Sequence, residues 1–335
     1  MTDIKHSPEN LYNKVAELLK LAHSTVVQAV NRTMVRTYFE IGRMIVEEEQ
    51  KGKERAEYGQ QLIEELSSRL LNEFGKGFSM TNIKQMRSFY LAYSKSQTLS
   101  DEFNLSWSHY LKLMRIEDEN ERRFYEIETL KNNWSLRELE RQYDSALYTR
   151  LALSRNKMKI IELSEKGLII EKPKDAIKDP YVLEFIGLPE QPSYSENDLE
   201  QKLIDKLEHF LLELGTGFTF VARQKRITFD EKHFHIDLVF YNRILKSFVL
   251  IDLKIGELKH QDIGQMQMYV NYYDREIRLN DENKTIGLIL CQNKSEAVVQ
   301  YTLPENNEQI FASKYQTVLP SKEKLKQLIE NKGEE

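Results

Sequence analysis

The chain has 335 residues, 40% of them hydrophobic, and a formal net charge of −5 at pH 7. This length allows two ordinary domains with separate cores, and the negative charge excludes a surface uniformly coated with basic residues for binding nucleic acid, though not a local basic patch. The single cysteine, Cys291, excludes a disulfide framework or a zinc site built from thiolates of this chain.

The first residues, MTDIKHSPEN, lack the apolar core of a signal peptide. No apolar run in the chain approaches the roughly 20 residues that a membrane-spanning helix needs. We therefore expect a cytoplasmic protein that does not enter a membrane.

Residues 1–153 are expected to form an all-helical domain. From residue 10 onward this part is nearly free of proline, and its apolar residues recur at helical spacing. Further helices are predicted around 33–50, 57–73, 80–94, 106–116 and 135–150, the last starting with the capping-box spacing of Ser135 and Glu138. An apolar stripe marks the first helix: Leu11, Val15, Leu18, Leu19 and Leu21.

The segment NEFGKGFSMTNIKQMRSFYLAY predicts a helix that ends at Gly75, a tight turn, and a second helix capped near Ser79 or Thr81. This arrangement resembles a helix-turn-helix, in which Lys84 and Arg87 would contact DNA. A helical hairpin that only packs is the commoner alternative. We therefore expect the helical domain to supply target recognition or self-association into a homo-oligomer.

Residues 154–197 are expected to form a packed connector. Four prolines fall in this segment, while the stretch YVLEFIGL within it is strongly apolar. The prolines are Pro173, Pro180, Pro189 and Pro192.

Residues 198–335 change to a mixed pattern of helix and strand. DLEQKLIDKLEHFLLELG predicts one amphipathic helix that ends at Gly215, and HQDIGQMQMYVNYYDRE predicts a second helix. FTFVARQKRITF, HFHIDLVFY, SFVLIDL and TIGLILC are typical of strands. The predicted order is αβββαβ, a sheet flanked by helices, so the chain is expected to be an α+β protein of two domains.

Charged residues stand near the ends of two predicted strands. Asp252 and Lys254 share one face of their strand because successive side chains alternate. If the preceding strand pairs with this one, it brings Asp237 beside Asp252. Two carboxylates and an ammonium group form a site of hard oxygen ligands suited to Mg²⁺ or Mn²⁺, with Lys254 orienting a water or stabilising phosphate charge. This pattern indicates phosphodiester hydrolysis.

Asp237 and the tripeptide Asp252-Leu253-Lys254 resemble the motif of the PD-(D/E)xK nuclease superfamily, whose restriction-endonuclease-like core has the same αβββαβ order. The stretches DPYVLEFIGL, LEQKLIDKLEHFLLELG, IDLVFY, IDLKIGEL and GQMQMY resemble the YhcG-type family of bacterial nucleases, also called the DUF1016 family. This resemblance covers nearly the whole chain. Two departures are Ile236 in place of the motif's proline and Asp252 in place of the commoner glutamate.

The resemblance implies further site residues. A third acid is expected on the first core helix, where Glu200 is the first candidate and Glu208 the alternative. Gln265 and Tyr269 match a Gln and Tyr spaced one helical turn apart on the second core helix. The implied catalytic residues are Asp237, Asp252, Lys254, Glu200, Gln265 and Tyr269, and Asp237, Asp252 and Glu200 would hold the metal.

A basic run on the first core strand, Arg223, Lys225 and Arg226, could neutralise phosphates without reading sequence. The alternative is a solvated strand face. The sequence thus predicts a nuclease that requires Mg²⁺ or Mn²⁺ and acts on nucleic acid, DNA in preference to RNA. The rival interpretation is a nuclease-like fold that binds nucleic acid or a protein without cutting.

Overall fold

The computed structural model describes residues 8–51, 56–94, 103–153, 157–191 and 193–319. Pro192 and the end of the predicted C-terminal domain, residues 320–335, lie outside the described residues. The chain divides into two compact units, residues 1–140 and 141–335. The three segments expected from composition stay a prediction of domain organisation.

The first unit is helical, as expected. None of the helices in the described ranges combines the length and apolar character that a membrane crossing requires. The helices are α1 (Pro8–Lys51), α2 (Ala56–Phe74), α3 (Met80–Tyr93), α4 (Trp107–Leu113), α5 (Glu119–Asn132) and α6 (Leu136–Asp144), the last of which crosses the division at residue 140.

Helix α5 was not predicted from the apolar pattern, because most of its residues are charged or polar. Its ends are instead defined by local hydrogen bonds. The side chain of Asp118 accepts a hydrogen bond from the backbone N–H of Glu121 at 2.7 Å, and Asn133 follows the helix in a left-handed conformation with φ 50°. Such caps satisfy the free backbone groups at the helix ends.

Helix α1 is a single helix where two were predicted, and its two halves differ. The second half packs on α3, where the buried ring of Phe39 contacts the rings of Phe89 and Tyr90. The helices approach closely at Gly42, where an added Cβ would overlap the carbonyl oxygen of Met86. Glycine is therefore required at this contact.

The first half of α1 leaves its apolar side chains in solvent. Nine large apolar residues between positions 11 and 30 are 43 to 71% exposed. They are Leu11, Tyr12, Val15, Leu18, Leu19, Leu21, Val26, Val27 and Val30. The stripe predicted from the sequence is therefore exposed rather than part of a core.

The second unit holds seven further helices and six strands among the described residues. The helices are α7 (Leu147–Leu153), α8 (Lys157–Lys166), α9 (Pro173–Ala176), α10 (Glu196–Asp205), α11 (Leu207–Leu214), α12 (His260–Tyr272) and α13 (Glu296–Thr302). The strands are β1 (Tyr181–Val182), β2 (Phe218–Phe229), β3 (Lys232–Asn242), β4 (Ser247–Glu257), β5 (Ile286–Asn293) and β6 (Ile310–Gln316).

The strands form one mixed sheet in the order β1-β6-β5-β4-β3-β2. β2, β3 and β4 pair antiparallel, whereas β4, β5, β6 and β1 pair parallel. One face packs on α10 and α11 through residues such as Leu203, Phe210 and Ile251, and the other packs on α12 through Met266 and Leu250. The predicted αβββαβ core is confirmed.

Two predicted helices are interrupted. The helix expected over 198–215 is divided into α10 and α11 at Lys206, whose ψ of 32° departs from helical geometry. Both pieces bury apolar side chains in the same core, Leu203 from α10 and Phe210 from α11. The helix expected over 135–150 is divided at Ala146, where φ is 50°.

A fully buried ion pair joins α7 to α11. A guanidinium nitrogen of Arg150 lies 2.6 Å from Oε1 of Glu213, and the same oxygen accepts a hydrogen bond from the backbone N–H of Val182 at 3.1 Å. Burial alone would raise the pKa of Glu213, but the charges of Arg150 and Lys178 outweigh it and lower this pKa to about 2. This carboxyl group is therefore ionised inside the core.

Candidate active site

The predicted acid pair lies where the pairing of β3 with β4 ends. The last paired residues are Leu238 and Ile251, so one further step of the register puts Asp237 opposite Asp252. The ladder does not continue there. Instead, Oδ2 of Asp237 accepts a hydrogen bond from the backbone N–H of Leu253 at 2.7 Å. The structure thus brings the two acids together at the point where the strands separate.

Asp252 is buried, and few neighbouring groups stabilise its negative charge. Its side chain is 2% exposed, and Oδ2 lies 3.0 Å from Nζ of Lys254. That contact lacks hydrogen-bond geometry, and no other group in the described residues bonds to this oxygen. Burial, together with the charge of Asp237, raises the pKa of Asp252 despite the opposing charge of Lys254. A metal cation bound beside Asp252 would offset both the burial of its charge and the repulsion from Asp237.

Lys254 is surrounded by acids. Besides Asp252, its Nζ lies 3.7 Å from Oε2 of Glu196 in α10, and Oε1 of Glu196 accepts a hydrogen bond from the backbone N–H of Ile255 at 3.2 Å. Burial alone would lower the pKa of Lys254, but these carboxylates raise it above its usual range. Lys254 is therefore a protonated ammonium group. Sequence reasoning missed Glu196, whose only signal was its place in the first turn of the helix.

Glu200 is the candidate third acid that the structure brings to this cluster. Its side chain is buried, its Oε2 accepts a hydrogen bond from Gln224 at 2.5 Å, and its Oε1 lies 3.3 Å from Nε of Arg223. Burial, and next the charge of Asp237, raises the pKa of Glu200, although the bond from Gln224 opposes the shift. The alternative acid, Glu208, lies exposed on α11.

Gln224 connects two of the acids and was not predicted. Its Nε2 donates to Oε2 of Glu200 and also to Oδ1 of Asp237 at 3.0 Å. Its φ of 45° is in the left-handed region, unusual inside a strand. In the observed register Gln224 falls opposite Asp237, between the pairs Arg223–Leu238 and Lys225–Ile236, but the sequence alone does not fix this register.

Gln265 and Tyr269 form a hydrogen-bonded chain from α12 to β3. Nε2 of Gln265 donates to Oη of Tyr269 at 2.5 Å, and that hydroxyl donates to the carbonyl oxygen of His235 at 2.9 Å. Burial, and next the charge of Asp252, raises the pKa of Tyr269 to about 12. The chain thus fixes the backbone of β3 two residues before Asp237.

The basic run on β2 lies partly within this cluster. Arg223 contacts Glu200 and also donates to Oε1 of Gln201 at 3.1 Å. Lys225 and Arg226 are exposed. Arg223 is therefore held by its contacts with α10, whereas the side chains of Lys225 and Arg226 face solvent.

The predicted helical hairpin is present in the first unit. α2 ends before Gly75, and the side chain of Ser79 accepts a hydrogen bond from the backbone N–H of Asn82 at the start of α3. Arg87 forms an ion pair of 2.7 Å with Glu49 of α1. Lys84 is exposed. Of the two basic residues predicted to contact DNA, only Lys84 therefore has its side chain fully in solvent.

The acids of the cluster form a donor set of carboxylate oxygens. In the described part of the chain, no group of three His, Cys, Asp or Glu side chains is arranged as a ready metal cluster. The chemistry of the acids nevertheless suits Mg²⁺ or Mn²⁺, because all donors are carboxylate oxygens. Two of these oxygens, Oδ2 of Asp252 and Oε1 of Glu200, are buried without hydrogen bonds from described residues. The residues present fit such a cation.

Comparison with known proteins gives the family. Residues 174–330 match the model of the YhcG PDDEXK nuclease domain, and residues 14–150 match that of the DUF1016 N-terminal domain. The chain is also 38% identical over 347 residues to "Putative nuclease YhcG" of Escherichia coli (strain K12), with 95% of this chain and 92% of that protein covered. The chain belongs to the YhcG family. The family resemblance predicted from the sequence is confirmed, and the C-terminal half of this YhcG-family protein carries a PDDEXK nuclease domain.

Two solved structures are more distantly similar to this YhcG-family protein. A repair endonuclease from Pyrococcus abyssi is 17% identical with a TM-score of 0.26, and the match covers 40% of this chain and 50% of that chain. A complex of EndoMS with double-stranded DNA is 17% identical with a TM-score of 0.27, covering 40% and 49%. The chain thus spans about half the length of these structures, and such TM-scores are too low to say anything about the YhcG-family site.

Proposed function

We propose that this YhcG-family protein is a nuclease that requires Mg²⁺ or Mn²⁺ and hydrolyses phosphodiester bonds in DNA. One observation carries the proposal. Asp237 and Asp252 lie at the same point of neighbouring strands, with Nζ of Lys254 3.0 Å from Asp252. A pair of adjacent acids, the buried Asp252 and the half-buried Asp237, next to a protonated lysine provides the groups that phosphodiester hydrolysis with a hard cation requires.

Each residue of the cluster has a proposed role. Asp237, Asp252 and Glu200 would hold the cation, which supplies positive charge to the phosphate and acidifies a water molecule. Lys254 donates its ammonium protons to a phosphate oxygen and stabilises the negative charge that develops there. Gln265 and Tyr269 keep β3, and with it Asp237, in place through the carbonyl of His235.

The exposed side chains of Lys225 and Arg226 are proposed to contact the phosphate backbone. Such contacts carry no sequence information and weaken as salt displaces them. Lys84 is proposed as an additional DNA contact of the helical unit. Arg87 is a weaker candidate, because a DNA contact would have to replace its ion pair with Glu49.

A second candidate function is a binding module that holds nucleic acid or a protein without cutting. The observation that favours it is Gln224, whose amide group lies between Glu200 and Asp237. If this amide stayed in place, it would occupy the carboxylate oxygens that a cation needs. A module of this kind would bind nucleic acid equally well with and without metal.

Cleavage of labelled nucleic acid distinguishes the two functions. Duplex DNA, single-stranded DNA and RNA are each incubated with the full chain and Mg²⁺, Mn²⁺ or EDTA. We expect cleavage of DNA only with metal, and its loss in Lys254→Ala. Lys284→Ala, at an exposed lysine, is the matched control and should cleave like the parent. Cleavage by Lys254→Ala at the parent's rate would show that the assignment is wrong.

We also propose that the protein forms a homo-oligomer through the first half of α1. Positions 12, 15, 19, 22, 26 and 29 of this helix alternate spacings of three and four residues and hold Tyr, Val, Leu, Ala, Val and Ala. This is the pattern of a coiled-coil seam. The charged residues Lys14, Glu17 and Lys20 fall outside the seam.

A second copy of the chain is the proposed partner because the seam is complementary to itself. Four of the exposed apolar side chains, Tyr12, Val15, Leu19 and Val26, lie on this seam, so pairing of two copies would remove them from water. Most of the stability of a helix in a protein comes from packing of its apolar face, so pairing would also stabilise this half of α1.

A further inference from the structure

Gln224 holds together two acids that would otherwise repel each other. Its Nε2 lies 2.5 Å from Oε2 of Glu200 and 3.0 Å from Oδ1 of Asp237. An amide NH₂ group has two hydrogens, so one can go to each carboxylate. Gln224 therefore supplies the partial positive charge between these acids.

The backbone of β2 is distorted where it presents this amide. Gln224 has a φ of 45°, a conformation that is unfavourable for a residue with a Cβ. The paired residues on either side are Arg223 with Leu238 and Lys225 with Ile236, and no pairing joins Gln224 to Asp237. The strand thus departs from regular geometry at Gln224, which bonds to both acids.

The amide alone leaves the cluster incompletely satisfied. Oε1 of Glu200 and Oδ2 of Asp252 are buried, at 4% and 2% residue exposure. Among the described residues they have ion-pair contacts without hydrogen-bond geometry, to Nε of Arg223 at 3.3 Å and to Nζ of Lys254 at 3.0 Å. Buried polar atoms are nearly always hydrogen-bonded, so these carboxylate oxygens have room for one further ligand, a metal cation.

We propose that Gln224 belongs to the metal site and reverses its hydrogen-bonding role when a divalent cation binds. Without metal, its NH₂ group donates to Glu200 and Asp237. With metal, the amide turns over so that its oxygen, Oε1, ligates the cation alongside those acids. This inference rests on the proposed function, because it assumes that the acids bind a metal.

The physical reason is competition for the same oxygen atoms. An N–H group and a cation cannot both lie against one carboxylate oxygen, and the positive end of the amide is repelled by a cation. The amide oxygen, in contrast, is a hard ligand of the type that Mg²⁺ and Mn²⁺ accept. Turning about the last side-chain bond exchanges the two atoms without moving the backbone.

Calorimetric titration of the full chain with Mn²⁺ tests the proposal. We expect Gln224→Ala to bind Mn²⁺ about tenfold or more weakly than the parent, and Gln224→Glu, which keeps an oxygen, to bind at least as tightly as the parent. The control is Gln201→Ala. Gln201 contacts Arg223 and Asp205 but neither Glu200 nor Asp237, so this variant should bind like the parent.

Thermal unfolding in EDTA gives a second measurement that does not depend on activity. Gln224→Glu adds a fourth carboxylate to the cluster of Asp237, Asp252 and Glu200, so we expect a lower Tm than the parent without metal and a larger rise in Tm on adding Mn²⁺. Equal or tighter Mn²⁺ binding by Gln224→Ala would overturn the ligand role of Gln224 while leaving the metal site intact. Absence of Mn²⁺ binding by the parent would overturn the proposed function as well.

Discussion

Asp237 accepts a hydrogen bond from the backbone N–H of Leu253 at 2.7 Å, in the place where the next backbone bond between β3 and β4 would form. The backbone of the neighbouring strand therefore fixes the orientation of this carboxylate. Its other oxygen, Oδ1, faces Gln224.

Asp237→Asn should weaken Mn²⁺ binding by about tenfold or more, because it removes one charged ligand while its amide oxygen can still accept from Leu253. Repulsion with Asp252 also disappears, so the Tm in EDTA should not fall. Calorimetry and thermal unfolding measure the two effects. Mn²⁺ affinity equal to that of the parent would contradict the role of Asp237.

Tyr269→Phe should reduce both stability and cleavage. The variant loses the hydrogen bond from the hydroxyl to the carbonyl of His235, a cost of about 1 kcal/mol in the free energy of unfolding. We expect cleavage to fall roughly fivefold to tenfold as β3 loosens near Asp237. Tyr301→Phe, at an exposed tyrosine, is the control and should change neither. Unchanged cleavage in Tyr269→Phe would argue against the anchoring role.

Glu213→Gln should cost about 3–5 kcal/mol of stability at neutral pH, because it leaves Arg150 charged and buried without a partner. Folding lowers the pKa of Glu213 from 4.5 to about 2. Its contribution is therefore fully present above pH 4.5 and is lost as the pH falls toward 2. The difference between parent and variant in urea unfolding should shrink between pH 7 and pH 3.

The double variant Arg150→Met with Glu213→Leu controls for this effect. It removes both charges, so it should lose less stability than Glu213→Gln does. A difference between parent and Glu213→Gln that is as large at pH 3 as at pH 7 would show that ionisation of Glu213 is not its source.

Leu19→Glu combined with Val26→Glu should convert the protein to a monomer, since both positions lie on the proposed seam of α1 and both side chains are exposed. Light scattering after gel filtration measures the mass. The matched control, Glu17→Lys, changes a charge outside the seam and should keep the oligomer. A parent chain that is monomeric at all concentrations would disprove this interface.

Gly42→Ala should destabilise the helical unit by about 1–3 kcal/mol, because the new Cβ would overlap backbone atoms of Met86. Gly264→Ala is the matched control in α12, where an added Cβ meets nothing within 4 Å. Removing a helical glycine there should raise stability by up to about 1 kcal/mol. Thermal unfolding of both variants tests the contrast.

The alternation of side chains along strands was sufficient to predict how Asp237, Asp252 and Lys254 come together. It could not show that Asp237 replaces a backbone partner, because that depends on where the ladder stops. Gln224 was missed for a related reason. A side chain that bonds to two acids from a residue with positive φ breaks the regular geometry on which pattern reasoning depends.

The helices likewise show what sequence patterns could and could not predict. The apolar stripe predicted α10 and α11 as one helix because both helices bury apolar residues in the same core. The interruption at Lys206 does not change the spacing of these apolar residues, so it could not be predicted from them. The stripe of α1 predicted a helix but did not show whether a core or solvent faces it. Helix α5 was missed because few of its residues are apolar, although the cap at Asp118 marks its start.

The buried ion pair of Arg150 and Glu213 determines where a fragment that contains only the nuclease domain can begin. A fragment that starts at residue 154 keeps Glu213 and Lys178 but loses Arg150, and one that starts at residue 198 loses both cations, so in either case the buried carboxylate loses its ion-pair partner. Such a fragment would have to protonate Glu213 or admit water in order to fold. A fragment that starts at residue 141 keeps both partners, and this is where an independently folding nuclease domain should begin.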